Sequence, residues 1–466
     1  MELDGQRLTT AEVAAAAGTA VAVTVTSEAR QRVARSHEQA TLAGRTRPVY
    51  GLTTGVGANR EVSVPPDLAH AQALLRSHAT TAGPARTPER VRAMLLIRLN
   101  QLCAGGAGVR PEIVDALAEL INADALPTVR EFVGIGTAEL SALAATALCI
   151  QERAGGTLQF GPHDALPFIS SNAAALSDAA LAWQSIRDSA HGALVVAALS
   201  FAAVRGNAEA YAPPVELATP MPGAQASARA MRALVGTPVP ARIQDPYGLR
   251  ALPQAHGILL DALVSLADVV TAFVNAPSEN PSVLSDGSVA HHGGFHAGYL
   301  ALAADTVAVA AIQSAQLGLN RLTYVSEPNH TGLEPFLGDG SPGASGVMVV
   351  EYVAAAALGD LRAAAVPAST QSTTLSRGVE DTASFASLAA RKLLTAAERY
   401  RLLVACELVA ALRAVRMSHP VLTERQQAAV IRCAALAATL ADRDLTGDIE
   451  AAAELVPALG DLAPLD

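Results

Sequence analysis

The chain has 466 residues, of which 51% are hydrophobic, 16% charged and only 3% aromatic, and its formal net charge is −10. The acidic balance and the absence of any Lys/Arg cluster exclude a nucleic-acid partner, which needs a basic face. Apolar runs are broken by charge, Gly or Pro before about 18 residues, so no membrane partner is expected.

Most of the apolar share is alanine and leucine, which favours close-packed helices over sheets. Cys103, Cys149, Cys406 and Cys433 are widely spaced, with no CxxC pair. They read as small buried hydrophobes in a reducing compartment. The opening MELDGQRLTT has no basic stretch ahead of an apolar core, so no secretory leader is expected and the location is cytoplasmic.

In chain order, residues 1–48 combine a short apolar patch, VAVTVT at Val21–Thr26, with a polar helical run from Ser27. VYGLTTGVGANR, Val49–Arg60, is a glycine-rich loop without phosphate-binding spacing. Its reading is a loop that presents Tyr50 to a pocket, against that of a plain surface loop. From Pro66 to Asn122 apolar residues recur at three and four, with Pro and Gly as punctuation, and three helices are expected. His78 falls at the end of the first, where the helix terminus favours an imidazolium. In PTVREFVGIGTAELSALAATALCI, Pro127–Ile150, Thr137 reads as the cap of an apolar helix with Glu139 in its first turn.

GPHDALPFISSNAAA, Gly161–Ala175, leads into an alanine-rich helix reaching about Arg205, and residues 206–236 read as a proline-rich crossing loop. In ARIQDPYGLRALPQAHG, Pro246 is expected to open a helix with Asp245 at its cap. Tyr247 and Arg250, three apart, then share a face: a phenol for proton transfer beside a guanidinium that takes a carboxylate bidentately. A capped helix start with a surface arginine is the plainer alternative. HHGGFHAG, His291–Gly298, has no companion acid at metal-site spacing, and no metal is assigned. The remainder is helical, with Glu380 near the start of a long helix.

Taken together, the chain resembles the histidine and aromatic amino acid ammonia-lyase and aminomutase family over nearly its full length. YGLTTGVG is similar to that family's YGxxTGFG loop, RSHA to its SHA helix, and NQLCAGGAGVRPEIVDALAELINADALP to its NxLxxGxSGxR helix pair. QDPYGLR followed by Pro253 and Gln254 is nearly verbatim, GGFHA is similar to GNFHA, and ASGVMVVEYVAAAAL to NSGFMIxQxTAAAL. The resemblance implies a mainly α fold with a central bundle of long helices. It implies an N-terminal domain over 1–202, a bundle domain over 203–466, and a homotetramer whose active sites draw on three subunits. Enzymes of that family use an electrophilic methylidene-imidazolone ring made from an internal Ala-Ser-Gly. Carried over by position, Tyr50 is the loop base, His78 a pocket residue, Tyr247 and Arg250 the assisting phenol and carboxylate clamp, and Glu380 the acid near the amine. Phe295, Leu52, Gly57, Phe168 and Ser170 line the substrate pocket.

The ring segment itself departs from the pattern, with Gly136-Thr137-Ala138 where Ala-Ser-Gly belongs. A Cβ at Ala138 hinders the tight bend that ring closure needs. Dehydrated threonine keeps a methyl on the carbon that must bond to substrate. Ser170 replaces the asparagine that holds the ring, Asn172 lies two residues away, and Gly294 replaces the asparagine of GNFHA. The expectation from sequence is therefore an ammonia-lyase-fold enzyme without the ring or any other cofactor. It would do acid/base chemistry on a small-molecule intermediate, free or held on a carrier protein: elimination, conjugate addition or cyclisation. The alternatives are a ring-dependent ammonia-lyase or 2,3-aminomutase acting on histidine or an aromatic amino acid, and an inactive scaffold subunit.

Overall fold

The computed structural model describes residues 1–284 and 286–465. It is mainly α, with 62% helix against 5% strand. Among the described residues the strands form three two-stranded pairs: Glu2–Leu3 parallel to Thr24–Val25, Ala82–Ala85 antiparallel to Arg130–Phe132, and Ser282–Val283 antiparallel to Val289–Ala290. Of the VAVTVT patch only Thr24 and Val25 pair.

Two compact units are each assembled from three segments: Met1–Leu181, Leu266–Asp305 and Pro367–Arg391 in the first, Ala182–Ser265, Thr306–Val366 and Lys392–Asp466 in the second. A single boundary near residue 202 does not describe this division, because later segments return to complete the first unit.

At the centre of the first unit lies the helix Pro88–Ala104, which starts with proline in its first turn and stops at Gly105. From Ala93 to Cys103 every residue of it is buried. Arg98, Asn100 and Gln101 are therefore polar groups inside the core and have to be paired. Asn100 donates to Val274 O and accepts from Gly5 N, both at 2.9 Å, and Gln101 donates to Phe273 O at 3.0 Å. Arg98 forms an ion pair with Glu279 at 2.7 Å, both side chains fully buried, and also donates to the carbonyls of Phe168 and Pro167. The neighbouring helix Pro111–Asn122 buries one face only, through Ile113, Val114, Leu117 and Ile121.

In the second unit, the 206–236 stretch expected to be a crossing loop carries two helices, Pro213–Ala218 and Pro222–Val235. Pro213, Pro214 and Pro222 sit in the first turn of these helices, where a missing N–H costs nothing, so they start helices. Pro246 is the N-cap of Tyr247–Arg250, while Asp245 accepts from Asn207 N at 2.6 Å and pairs with Arg242 at 2.8 Å, in place of the expected cap. Buried Arg321 donates to Gly248 O at 3.0 Å and is itself held by Glu407 at 2.7 and 2.8 Å, which fixes that short turn. Leu252–Val274 and Gly298–Ser326 have the length and composition of membrane spans, more continuous than the sequence reading allowed. About half of each apolar window, 44% and 56%, is buried inside the protein.

Candidate active site

A cavity of about 600 Å³ lies wholly within the first unit. The 48–61 loop contributes Tyr50, Gly57, Arg60 and Glu61; Thr137, Ala138 and Ser170 form one wall, Asn280, His291, His292 and Phe295 another, and Glu380 a third. These side chains come from parts of the chain more than 200 residues apart.

The loop closes on itself. Gly57 N–H donates to the Tyr50 phenol oxygen at 2.7 Å, Thr53 Oγ1 accepts from Val49 N at 2.9 Å, and Ala58 N donates to Ser376 Oγ at 2.9 Å. Burial pushes the phenol above its ordinary value near 10, and the Glu380 carboxylate adds to this; the Gly57 N–H and Arg60 pull the other way. In this chain by itself the phenol is protonated at neutral pH. Positive charge brought into the cavity favours its ionisation.

The Gly136-Thr137-Ala138 segment is sharply bent. Gly136 has φ +84° and Ala138 φ +68°, so the alanine holds the left-handed conformation despite its Cβ, at a cost of about 1–2 kcal/mol. Gly136 O accepts from Ser384 Oγ at 2.9 Å and from Ala297 N at 3.3 Å, which polarises that carbonyl. Ala138 N–H donates to Asn172 Oδ1 at 3.1 Å, and Asn172 Nδ2 donates to Phe295 O at 2.5 Å. Asn172, read from sequence as displaced, thus reaches the bend because the backbone at 170–172 turns back towards it. Ser170 has a different duty, accepting from Asn280 N at 3.1 Å. Thr137 Oγ1 lies 3.5 Å from Glu380 Oε2.

Directly after the bend, Glu139 is fully buried: its Oε2 accepts from Ala175 N at 2.7 Å, and Oε1 has no partner. Burial raises its carboxyl to about 7, against the pull of Arg86. A carboxyl held above its unfolded value of 4.5 binds its proton more tightly in the native state. Stability therefore falls as pH rises from about 4.5 to about 7. Relative to Glu139→Gln, the wild type is expected to lose about 3 kcal/mol across that window, as read by urea unfolding at pH 5 and pH 8. A constant difference at the two pH values refutes this.

Five of the residues named from sequence lie elsewhere. Phe168 is wholly buried in the core, edge-on to Phe160 at 4.9 Å. Leu52 lies beneath the loop, lining a separate small apolar void, and does not reach the main cavity. His78 Nδ1 donates to Leu74 O, 2.9 Å away, at its own helix end, and the residue does not line the cavity. Tyr247 and Arg250 belong to the second unit. As their spacing predicts, they share a face, the guanidinium carbon 4.4 Å from the Tyr247 ring centre. Tyr247 is 65% exposed, and the buried Arg250 Nε has no hydrogen-bond partner. Sequence reasoning missed Arg60, Glu61, Asn280, His291 and His292 as lining residues. The HHGG run was a visible signal, set aside as a turn.

A helical unit that gathers a loop phenol, a carboxylate and a bent tripeptide about one cavity is the framework of a lyase of the ammonia-lyase type. The chain belongs to the aromatic amino acid lyase family, whose profile matches residues 8–436. It is 33% identical to the histidine ammonia-lyase of Symbiobacterium thermophilum, with 97% of this chain and 96% of that protein covered. To the histidine ammonia-lyase of Streptomyces coelicolor it is 31% identical, covering 95% and 93%. Among solved structures, tyrosine aminomutase from Streptomyces globisporus matches with a TM-score of 0.91 at 26% identity, covering 99% of this chain and 97% of that one. Ergothionase from Treponema denticola has the same fold, with a TM-score of 0.91 at 23% identity over 100% and 99%.

Family membership overturns the expectation of an enzyme without a prosthetic group, since histidine ammonia-lyases and aminomutases of this family carry the methylidene-imidazolone ring. The local geometry fits the group. The bend is present, the carbonyl that would be attacked has two donors on it, and the attacking amide is oriented by Asn172. Built from Thr137, the ring would retain one methyl on its exocyclic carbon.

Proposed function

We propose that the chain is an ammonia-lyase that removes an amine and a neighbouring proton from a small amino acid, with the ring formed from Gly136, Thr137 and Ala138. The observation that carries this reading is the doubly held bend, with Gly136 O on Ser384 and Ala297 and Ala138 N on Asn172, opening onto the cavity of Tyr50 and Glu380. When formed, the ring supplies an electrophile for the substrate amine.

The chain's own residues do the rest. Tyr50 takes the proton from the substrate carbon, and the substrate ammonium beside it favours the phenolate. Glu380 faces the amine and balances its charge. Arg250 of a second copy of the chain clamps the substrate carboxylate, with Tyr247 stacked beside it as the assisting phenol. Phe295, His292 and Leu166 present apolar and imidazole surface to the side chain, so histidine and the aromatic amino acids are the substrates to screen, histidine first because histidine ammonia-lyases are among the similar proteins.

Two measurements test this. The intact mass of the purified protein is expected to fall two waters short of the encoded mass, and ammonia is expected on incubation with histidine, phenylalanine or tyrosine. The full encoded mass together with no ammonia from any of the three overturns the reading. Arg250→Ala is expected to lower kcat/KM about a hundredfold by removing a charged hydrogen bond to the carboxylate. Unchanged kcat/KM would remove Arg250 from the site.

A further inference from the structure

The 48–61 loop has a backbone pin that its own turn does not supply. Tyr50 N–H donates to His291 Nε2 at 3.1 Å, across 241 residues of sequence. A backbone N–H only donates, so Nε2 must carry a lone pair and the ring proton must sit on Nδ1. The neighbouring His292 cannot take this part. Its Nδ1 accepts from Gly294 N at 2.8 Å and its Nε2 donates to Glu279 O at 2.7 Å, so both nitrogens are committed.

We infer that His291 is a positioning residue for the loop that carries Tyr50, holding it only as the neutral imidazole. It acts through Tyr50, and its importance for turnover rests on the reading of Tyr50 as the base. His291 is exposed at the cavity edge, so protons reach it freely. The groups that face it are Arg47, whose guanidinium donates to Val289 O, and His292. With partial burial, both disfavour the imidazolium and place its titration below the ordinary histidine value of 6.5. Once protonated, Nε2 carries a hydrogen that confronts the Tyr50 N–H, and the pin is lost. The sign follows: a depressed histidine keeps the pin above about pH 6.5 and loses it as pH falls through the lower folded value. The Gly57 and Ser376 contacts stay, so the loop loosens at its Tyr50 end while its far end remains attached.

The test is amide hydrogen exchange over residues 48–63, corrected for the intrinsic pH dependence of exchange, at pH 8 and pH 5. The wild-type loop is expected to exchange faster at pH 5 than at pH 8, by up to about fivefold, the loss of one net hydrogen bond. His291→Gln, which keeps an acceptor at the Nε2 position but does not titrate, is expected to stay protected at both pH values. His291→Phe is expected to be unprotected at both. A phenylalanine variant as protected as the wild type, or a glutamine variant that loses protection at pH 5 as the wild type does, overturns the inference. Should His291→Phe fail to fold, the glutamine comparison alone decides. In turnover, His291→Gln should move the acid limb of kcat to lower pH. Full activity in Tyr50→Phe would sink the base reading and leave the exchange result standing.

Discussion

Tyr50→Phe is expected to lower kcat about a thousandfold, the usual size of the effect of a positioned general base. The phenyl ring keeps the packing under the loop, and the oxygen alone is lost. Gly57 N–H loses its acceptor with it, a cost of about 1 kcal/mol. That is too little to unfold the unit, so folding and turnover should separate cleanly. Burial and Glu380 raise the phenol of the free chain above its ordinary value, so the wild-type kcat/KM should climb with pH into the alkaline range, and the variant's residual kcat/KM should not. Thermal unfolding, kcat and kcat/KM measured between pH 7 and pH 10 check both halves. A variant within tenfold of the wild type shows that another group takes the proton.

The largest stability effect is expected at Arg98. Arg98→Met leaves Glu279 with no cation in a fully buried position, where Oε2 already has no partner, and should destabilise by about 3–5 kcal/mol. Burial pushes both members of the pair towards their neutral forms, Arg98 down and Glu279 up, so neither is stable there without the other. The damage should reach the cavity, because Glu279 precedes Asn280, which ties Ser170 to the 291–295 wall through His292 N. Adding Glu279→Leu to Arg98→Met should recover most of the loss, since a neutral, filled core asks for no counter-ion. Urea unfolding of the two variants reads the difference. A double variant as unstable as the single one means that the ion pair is not the cause.

The helices were legible from apolar spacing and from proline at their starts, and the family was legible from ordered motifs such as YGLTTGVG and QDPYGLR. Tyr50, Gly57, Thr137, Ala138, Ser170, Phe295 and Glu380 were named from sequence, and the structure gathers them about one cavity. Phe168 and Leu52 were misplaced because adjacency to a motif says nothing about which side of the backbone meets the cavity. His291 and Asn172 escaped because their roles depend on contacts 241 and 34 residues away in sequence, with no local periodicity to announce them. The two-unit division was hidden for a related reason: both units are completed by segments that return late in the chain. Ala138 is the instructive error. A Cβ disfavours the left-handed bend, but disfavour is a matter of one or two kcal/mol, which the Asn172 contact and the surrounding packing can offset.

Position 136 constrains how the bent tripeptide can be changed. A Cβ placed on Gly136 would lie 2.1 Å from Ser384 Oγ and 2.7 Å from Ala386 N, on a residue already at φ +84°. Trimming Ser384 removes only the first collision; the second is with backbone. Installing Ala-Ser-Gly at 136–138 is consequently not a matter of three independent substitutions. Serine at 137 and glycine at 138 are open at any time, whereas alanine at 136 waits on a prior shift of the 384–386 segment. A mutational path that takes position 136 first meets both contacts at once, so an engineer who installs Ala-Ser-Gly has to free the 384–386 segment beforehand.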